Sequence, residues 1–358
     1  MSKTSWHFPR LSLAKQIIGM FDSGLSTALV FFAPRRMGKT EFLIEDMQPM
    51  IKKQNWHVFY HSFLDASKNA ESEFTKSLWQ QFQSNPLLKI ARKIKKISGG
   101  ALGVEGSIEL QSQTPNNTDF REILIKISKE RKLVLLLDEA QALAKNNEIN
   151  LPFVTSLRTV LDTNKENIKV IFTGSSREGL KKMFSAKDAP FFHFGQNLLF
   201  PQFGAEFTEH LAKQYFTITK TTLNQQVLWN AFEELGKMPQ LIRALVERII
   251  LNPELGINQA KNELLEELIH DRSFADNWEN LSSLEQLILW EIASKNKKLY
   301  SIETRNKLSI KLGIEDIRVS SMQSSLRKLN KSCVIGHTPE QGEYYIDDPN
   351  FLDWILQK

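Results

Sequence analysis

An apolar run, Leu29-Val30-Phe31-Phe32, passes directly into Ala33-Pro34-Arg35-Arg36-Met37-Gly38-Lys39-Thr40, and Glu41-Phe42-Leu43-Ile44-Glu45-Asp46-Met47 follows with helical character. The octapeptide has the Gly-x-x-x-x-Gly-Lys-Thr form of a nucleotide-phosphate loop, with Ala33 at the first glycine position. A loop between a buried strand and a helix N-terminus aims backbone N–H groups at one centre, where the helix dipole adds positive potential. On this reading Ala33, Pro34, Arg35, Arg36, Met37, Gly38, Lys39 and Thr40 wrap the phosphates of a nucleotide. Lys39 would lie along the β- and γ-phosphates as a point charge, and Thr40 would place its hydroxyl on a magnesium ion. A strand turning into a basic, solvated loop would give the same eight residues, so the rest of the chain must decide.

Phosphate chemistry of this kind needs a second strand that ends in a carboxylate. Leu133-Val134-Leu135-Leu136-Leu137 is an unbroken apolar run, suited to a strand buried on both faces of a parallel sheet, and it ends in Asp138-Glu139. Ligands of open α/β sheets gather beyond the carboxyl ends of the strands, so Thr40 and Asp138 are expected to face one crevice and share the metal. Glu139 is then the group that orients and polarises an attacking water. A third apolar run, Val170-Ile171-Phe172-Thr173, ends in Gly174-Ser175-Ser176. A hydroxyl there, Ser175, could bond the γ-phosphate or the water. Each signal has a bland counterpart, since acids and small hydroxyl residues end many ordinary strands. Three in order, each at a strand's carboxyl end, make nucleotide binding the reading.

The intervening segments fit an α/β domain. Leu13, Ile17, Ile18 and Phe21 mark an amphipathic helix before the first strand, and Trp56 to Tyr60 is a second strand. A helix is expected from Glu71 to Lys96, with Phe74, Leu78, Trp79 and Phe82 on one face and a basic run at Lys89, Arg92, Lys93, Lys95 and Lys96. The glycine-punctuated stretch from Ser98 to Leu110 reads as a small hairpin. Further helices are expected at 120–129 and 153–161, and Asn197 to Phe200 is a candidate fifth strand. From Phe203 to His270 the pattern is helical, with a turn at Gly236-Lys237-Met238-Pro239. From about Leu281 three helical stretches precede two short strand-like runs around Gly342. Soft boundaries near 200 and 280 divide the chain into 1–202, 203–280 and 281–358.

The three motifs, Ala-Pro-Arg-Arg-Met-Gly-Lys-Thr, Leu-Leu-Leu-Asp-Glu-Ala-Gln and Phe-Thr-Gly-Ser-Ser, resemble the STAND-type archaeal ATPases, relatives of the AAA+ class and of origin-recognition initiators. Ala189 to Gln196 stands where such proteins carry a Phe-Gly-Arg stretch, and Gly236 to Pro239 resembles their Gly-Gly-x-Pro turn near the nucleotide base. The end of the chain, through Tyr345-Ile346-Asp347-Asp348-Pro349, resembles their winged helix. The resemblance implies a P-loop NTPase parallel sheet over 1–202, a helical lid over 203–280 and a winged-helix domain over 281–358. It implies ATP and Mg2+ as ligands, with Pro239 beside the base. Gln196 departs from the family's arginine, so a cation at that position does not carry over. Unless Arg177, Arg158 or a partner supplies one, turnover is expected to be slow, because an arginine finger is worth roughly 10³ to 10⁵ in rate. A nucleotide-holding scaffold without useful turnover is the alternative.

Composition bounds the partners. The chain has 358 residues, 41% hydrophobic and 24% charged, as expected for a soluble globular protein of two or three domains. No apolar run reaches the ~20 residues of a membrane span, and Met1 to His7 lacks the apolar segment of a secretory signal, so no membrane role and a cytoplasmic location are expected. One cysteine, Cys333, excludes an internal disulfide. A net charge of +5 permits nucleic acid without demanding it. In the segment Ile317 to Lys331, Val319, Met322, Leu326 and Leu329 should form a buried face opposite Arg318, Ser321, Gln323, Ser325, Arg327 and Lys328. Such a helix could read duplex DNA. Yet residues 281–358 hold 11 Lys+Arg against 10 Asp+Glu, and the wing-tip segment Thr338 to Glu343 is acidic. Double-stranded DNA and a protein partner are therefore both open, as is a homo-oligomer.

Overall fold

The structure is a computed structural model that describes residues 6–64, 69–83, 119–145, 147–184, 189–269, 272–332, 334–338 and 343–357. Five parallel strands form the central sheet: β1 (Ala28–Phe32), β2 (His57–Ser62), β3 (Leu133–Asp138), β4 (Ile168–Gly174) and β5 (Gln196–Leu199). Their order across the sheet is β2-β3-β4-β1-β5, which sets the phosphate-loop strand beside β4, with β4 between it and the carboxylate strand. All six residues of β3 and all seven of β4 are buried, as central strands of a parallel sheet covered on both faces must be.

Alternation along the strands divides the core. Leu29, Phe31, Val134, Leu136 and Ile171 face one side, with α1 (Leu11–Asp22) and the helix that follows the loop. Val30, Leu133, Leu135, Leu137, Val170 and Phe172 face the other, against α4 (Ala70–Phe82), α5 (Phe120–Glu130) and α7 (Asn147–Thr163). Within α4 the expected face holds for Phe74, Leu78 and Phe82, while Trp79 packs only partly against it. The extension of this helix to Lys96, its basic run, the hairpin of 98–110, Cys333 and most of the acidic wing-tip segment lie outside the described residues.

The first of these two cores does not stop at residue 202. It continues through α9 (Ala205–Thr219), α10 (Gln225–Glu234), α11 (Pro239–Leu251) and α12 (Gly256–Ile269), so the sheet and these helices share one apolar interior. A separate core joins α13 (Arg272–Glu279), α14 (Ser283–Ala293), α15 (Ile302–Leu312), α16 (Val319–Lys331), the antiparallel pair β6 (Ile335–Thr338) and β7 (Glu343–Ile346), and α17 (Pro349–Gln357). Ser282 and Glu285 close a capping box on α14, and Ser301 caps α15 through the Thr304 N–H. In α16 Met322, Leu326 and Leu329 are buried, whereas Val319 is 41% exposed. The helical spacing alone placed Val319 inside; it sits at the first turn, beyond the reach of the core. Among the described residues no helix is long and apolar enough to cross a membrane.

Candidate nucleotide site

The loop is anchored at both ends. Ala33 N–H donates to Gly174 O (3.3 Å), tying its start to the end of β4. The strained backbone falls at Arg36 (φ 69°) and Gly38 (φ 82°), and Ala33 is not among the positive-φ residues. A methyl group is thus harmless at residue 33, while the left-handed position at 38 carries the glycine that it favours. Helix α2 (Lys39–Glu41) starts immediately, runs into a π-helical segment, Phe42–Met47, and continues as α3 (Gln48–Lys53). Gln48 N–H reaches back five residues to Leu43 O, and Pro49 next to it has no N–H to give.

Lys39 is buried, and its ammonium donates to Ala33 O (2.7 Å) and Pro34 O (2.9 Å). Burial pushes its pKa down, while Glu139 and Asp138 oppose that shift. Thr40 Oγ1 donates to Asp138 Oδ2 at 2.5 Å, so the loop and the carboxylate strand meet as their order predicted. Asp138 is 1% exposed, yet four donors satisfy it. Tyr60 OH shares Oδ2 at 3.3 Å, while Oδ1 accepts from the Thr173 hydroxyl and the Glu139 N–H (3.0 Å). Burial and then the Asp138 charge push the Tyr60 phenol up.

Glu139 sits in the left-handed region at φ 53°, which turns its side chain out of the strand line. Its Oε2 accepts from Ser175 Oγ (2.8 Å) and from Gln141 Nε2. Gln141 Nε2 also donates to Ser175 Oγ (3.1 Å), and Gln141 Oε1 accepts from Ser175 N–H (3.3 Å). A Cβ at Gly174 would collide with the Gln141 side chain, which is why a glycine ends β4 here. Ser175 is therefore bonded to the carboxylate rather than standing alone at the strand end.

Sequence reasoning missed a second network. Asp46 is buried in the π-helical segment and accepts from His7 Nε2 (2.7 Å) and Arg10 N–H (3.0 Å). His7 also faces Glu41 (3.3 Å), which pairs with Arg243 of α11 (2.9 Å). Hydrogen bonds to Asp46 and then Glu41 raise the His7 pKa to about 9. Burial alone would push the Glu41 carboxyl up, but His7 and Arg243 hold it at about 2. Arg10 donates to Pro201 O (2.8 Å) and Met37 O (3.4 Å) and lies over the Phe203 ring, and burial lowers its pKa to about 10. No local motif marks His7, Asp46 or Arg243; their meeting depends on segments 36 to 202 residues apart.

One open cavity of about 1050 Å³ is lined by Arg35 to Glu41, Glu139 and Pro239, together with His7 and Arg243. Every loop residue from Arg35 to Thr40 faces it, and Gln240 N–H at the start of α11 reaches Arg36 O (3.4 Å). Ala33 and Pro34 line a separate cavity shared with Tyr345 to Asp347 and Pro349. Thr40 and Asp138 offer hard oxygen donors that suit Mg2+, which keeps waters and takes one or two protein ligands beside substrate phosphates. Among the described residues no group of three or more His, Cys, Asp or Glu could hold a metal.

Gln196 pairs with Leu29, three residues before Phe32, so it lies about 10 Å from the loop end of the sheet. A cation at that position would not have reached this chain's own crevice. Arg158 is engaged by Pro190 O (2.8 Å) and Asp162 (3.3 Å). The Arg177 side chain lies outside what the structure describes.

No family model matches the chain, and no curated protein matches it. Solved structures do. A Walker-type ATPase of Pyrococcus abyssi aligns with a TM-score of 0.64 at 17% identity, covering 98% of this chain and 96% of that one. The ORC2 protein of Aeropyrum pernix, in its ADPNP-ADP complexes, aligns at 0.57 and 15% identity, covering 97% and 92%. The chain thus shares the fold of these two structures, a P-loop NTPase-type parallel sheet with its helices, over nearly the full length.

Proposed function

We propose that the chain is a magnesium-dependent, ATP-binding switch that hydrolyses ATP slowly. The observation that carries this reading is the Thr40–Asp138 contact, which joins a phosphate loop to a carboxylate strand and leaves Glu139 beside it. In the proposed site the N–H groups of Arg36 to Thr40 bind the phosphates, and Lys39 leaves Ala33 O and Pro34 O for the β- and γ-oxygens. Thr40 and Asp138 would hold Mg2+, which when bound would supply charge neutralisation for the phosphates. Glu139 accepts a hydrogen bond from the attacking water at Oε1 and orients it, while Ser175 and Gln141 hold Oε2 in place. Pro239 flanks the base. Arg243 faces the same cavity and can exchange Glu41 for phosphate, so nucleotide would draw α11 toward the loop.

A route to the C-terminal unit supports the switch. Helix α8 (Arg177–Phe184) begins right after Ser175-Ser176. Its Lys181 donates to His337 O (2.7 Å) and its Lys182 to Asn330 O, on β6 and α16. We read residues 281–358 as a winged helix that this contact holds and that engages DNA or a protein when released. Arg318 at the N-cap of α16 and Gln323 and Arg327 on it are exposed, but Lys328 is paired with Glu285 (2.9 Å), which reduces the charge offered to phosphate. The domain limits 1–202, 203–280 and 281–358, the cytoplasmic location and a homo-oligomer belong to the same proposal.

The bonds holding Glu139 favour a second reading, a nucleotide-binding scaffold without turnover. Single-turnover hydrolysis separates the two. The switch predicts Mg2+-dependent ATP binding that Lys39→Ala abolishes, and a measurable rate that Glu139→Gln removes while binding persists. A wild-type rate no higher than that of Glu139→Gln leaves the scaffold; unchanged binding in Lys39→Ala refutes both.

A further inference from the structure

Five cationic side chains line the cavity: His7, Arg35, Arg36, Lys39 and Arg243. Four have work in the structure. Lys39 rests on two loop carbonyls, Arg243 on Glu41, and His7 on Asp46 and Glu41. Arg36 has a partner of its own, and its carbonyl accepts from the first turn of α11. Arg35 differs. It is exposed, and among the described residues it makes no hydrogen bond, ion pair or ring contact.

Its place in the loop is informative. Arg35 directly follows Pro34, whose carbonyl receives the Lys39 ammonium, so its backbone adjoins the point from which Lys39 would reach the terminal phosphates. The Arg35 charge is among the causes that lower the Lys39 pKa, after burial. Glu41, the acid nearest along the chain, is already taken by His7 and Arg243. A planar guanidinium with free donors presents a fork that matches two phosphate oxygens. Gln196 lies at the wrong end of the sheet to compete, and Arg158 is engaged elsewhere.

Resting on the nucleotide reading above, we propose that Arg35 is the transition-state cation of this site, supplied in cis by the phosphate loop itself. In-line attack of water on the γ-phosphorus forms one P–O bond as the bridging β–γ P–O bond breaks. The leaving oxygen keeps the electron pair, and a proton from the attacking water ends in solvent by way of Glu139. Arg35 contacts the γ-phosphoryl oxygens as their charge redistributes. It is therefore expected to bind ground-state ATP weakly and the transition state strongly, which raises the chemical rate rather than affinity.

The test uses the full-length protein with fluorescently labelled ATP and Mg2+. Arg35→Ala should fold and bind nucleotide within about threefold of wild type, because among the described residues the Arg35 side chain makes no hydrogen bond or ion pair. Its single-turnover rate should fall by about 10³-fold, at the low end for arginine fingers. Wild type should trap ADP with aluminium fluoride, a planar phosphoryl mimic, and Arg35→Ala should not. Free guanidinium ion should restore part of both, Arg35→Lys should stay well below wild type, and the wild-type rate per molecule should be independent of protein concentration. Trapping or a rate unchanged in Arg35→Ala overturns the inference, as does a rate that climbs with protein concentration. A salt-sensitive loss of affinity without a change in rate overturns it too, leaving a merely steering charge. Wild type that binds no nucleotide overturns the functional reading itself, and the inference with it.

Discussion

Titration of His7 offers a quantitative probe of the strap formed by the N-terminal segment over the loop helix. Its imidazole is bonded to Asp46 at 2.7 Å and faces Glu41 at 3.3 Å, and Arg243 and the Arg10 N–H complete the charged surroundings. The folded pKa is about 9 against 6.5 for the free group. A raised pKa means that the folded state holds the proton more tightly. The stabilisation is therefore fully present below pH 6.5 and is lost as pH rises through 9. Taken whole, the shift corresponds to about 3 kcal/mol, and solvent screening of this part-exposed ring reduces it to about 1–2 kcal/mol. Urea unfolding of wild type and His7→Gln at pH 6, 7.5, 9 and 10 isolates the effect, since other titrations cancel in the difference. The advantage of wild type should be about 1–2 kcal/mol larger at pH 6 than at pH 10, where only that of a neutral hydrogen bond, about 0.5–1 kcal/mol, should remain. A difference that stays constant from pH 6 to 10 would refute the claim that charge on His7 holds the strap.

Two further substitutions probe buried polar groups. Thr173→Val removes the hydroxyl that donates to Asp138 Oδ1 and leaves that buried oxygen only the Glu139 N–H, so unfolding free energy should fall by about 2 kcal/mol, with Mg2+-dependent nucleotide binding weakened as well; unchanged stability would show that the contact carries no weight. His61 lies among Phe59, Phe63 and Phe74, its Nε2 has no hydrogen-bond partner, and burial lowers its pKa to about 4. Because the unfolded chain takes up that proton first, stability is lost as pH falls from 6.5 toward 4, by about 2 kcal/mol at pH 5; His61→Leu should be favoured more at pH 5 than at pH 7.5, and an equal effect at both would contradict this account.

Much of the site was legible locally, because each part is a strand end followed by a particular residue. Ala33 to Thr40, Asp138-Glu139 and Gly174-Ser175 sit where apolar runs stop, and a parallel sheet brings such ends to one edge whatever lies between them. The tolerance of Ala33 followed from the small cost of a methyl group at a residue without positive φ, and the backbone agrees. Spacing failed where contacts cross the chain. Val319 fits the helical period of α16 but points past the core, and Gln196 is harmless to its own loop only because β5 pairs with β1 in a register that sets it at the far end. Nothing near His7, Asp46 or Arg243 announces their meeting, and nothing in the octapeptide says which of its two arginines is engaged. The sequence by itself determined the order of strands and loops and the chemistry at each strand's end, since these depend on neighbours along the chain. Only the tertiary structure decided which charges are already satisfied, because pairing depends on distances between segments that the chain order leaves free, and Arg35 stands out for that reason.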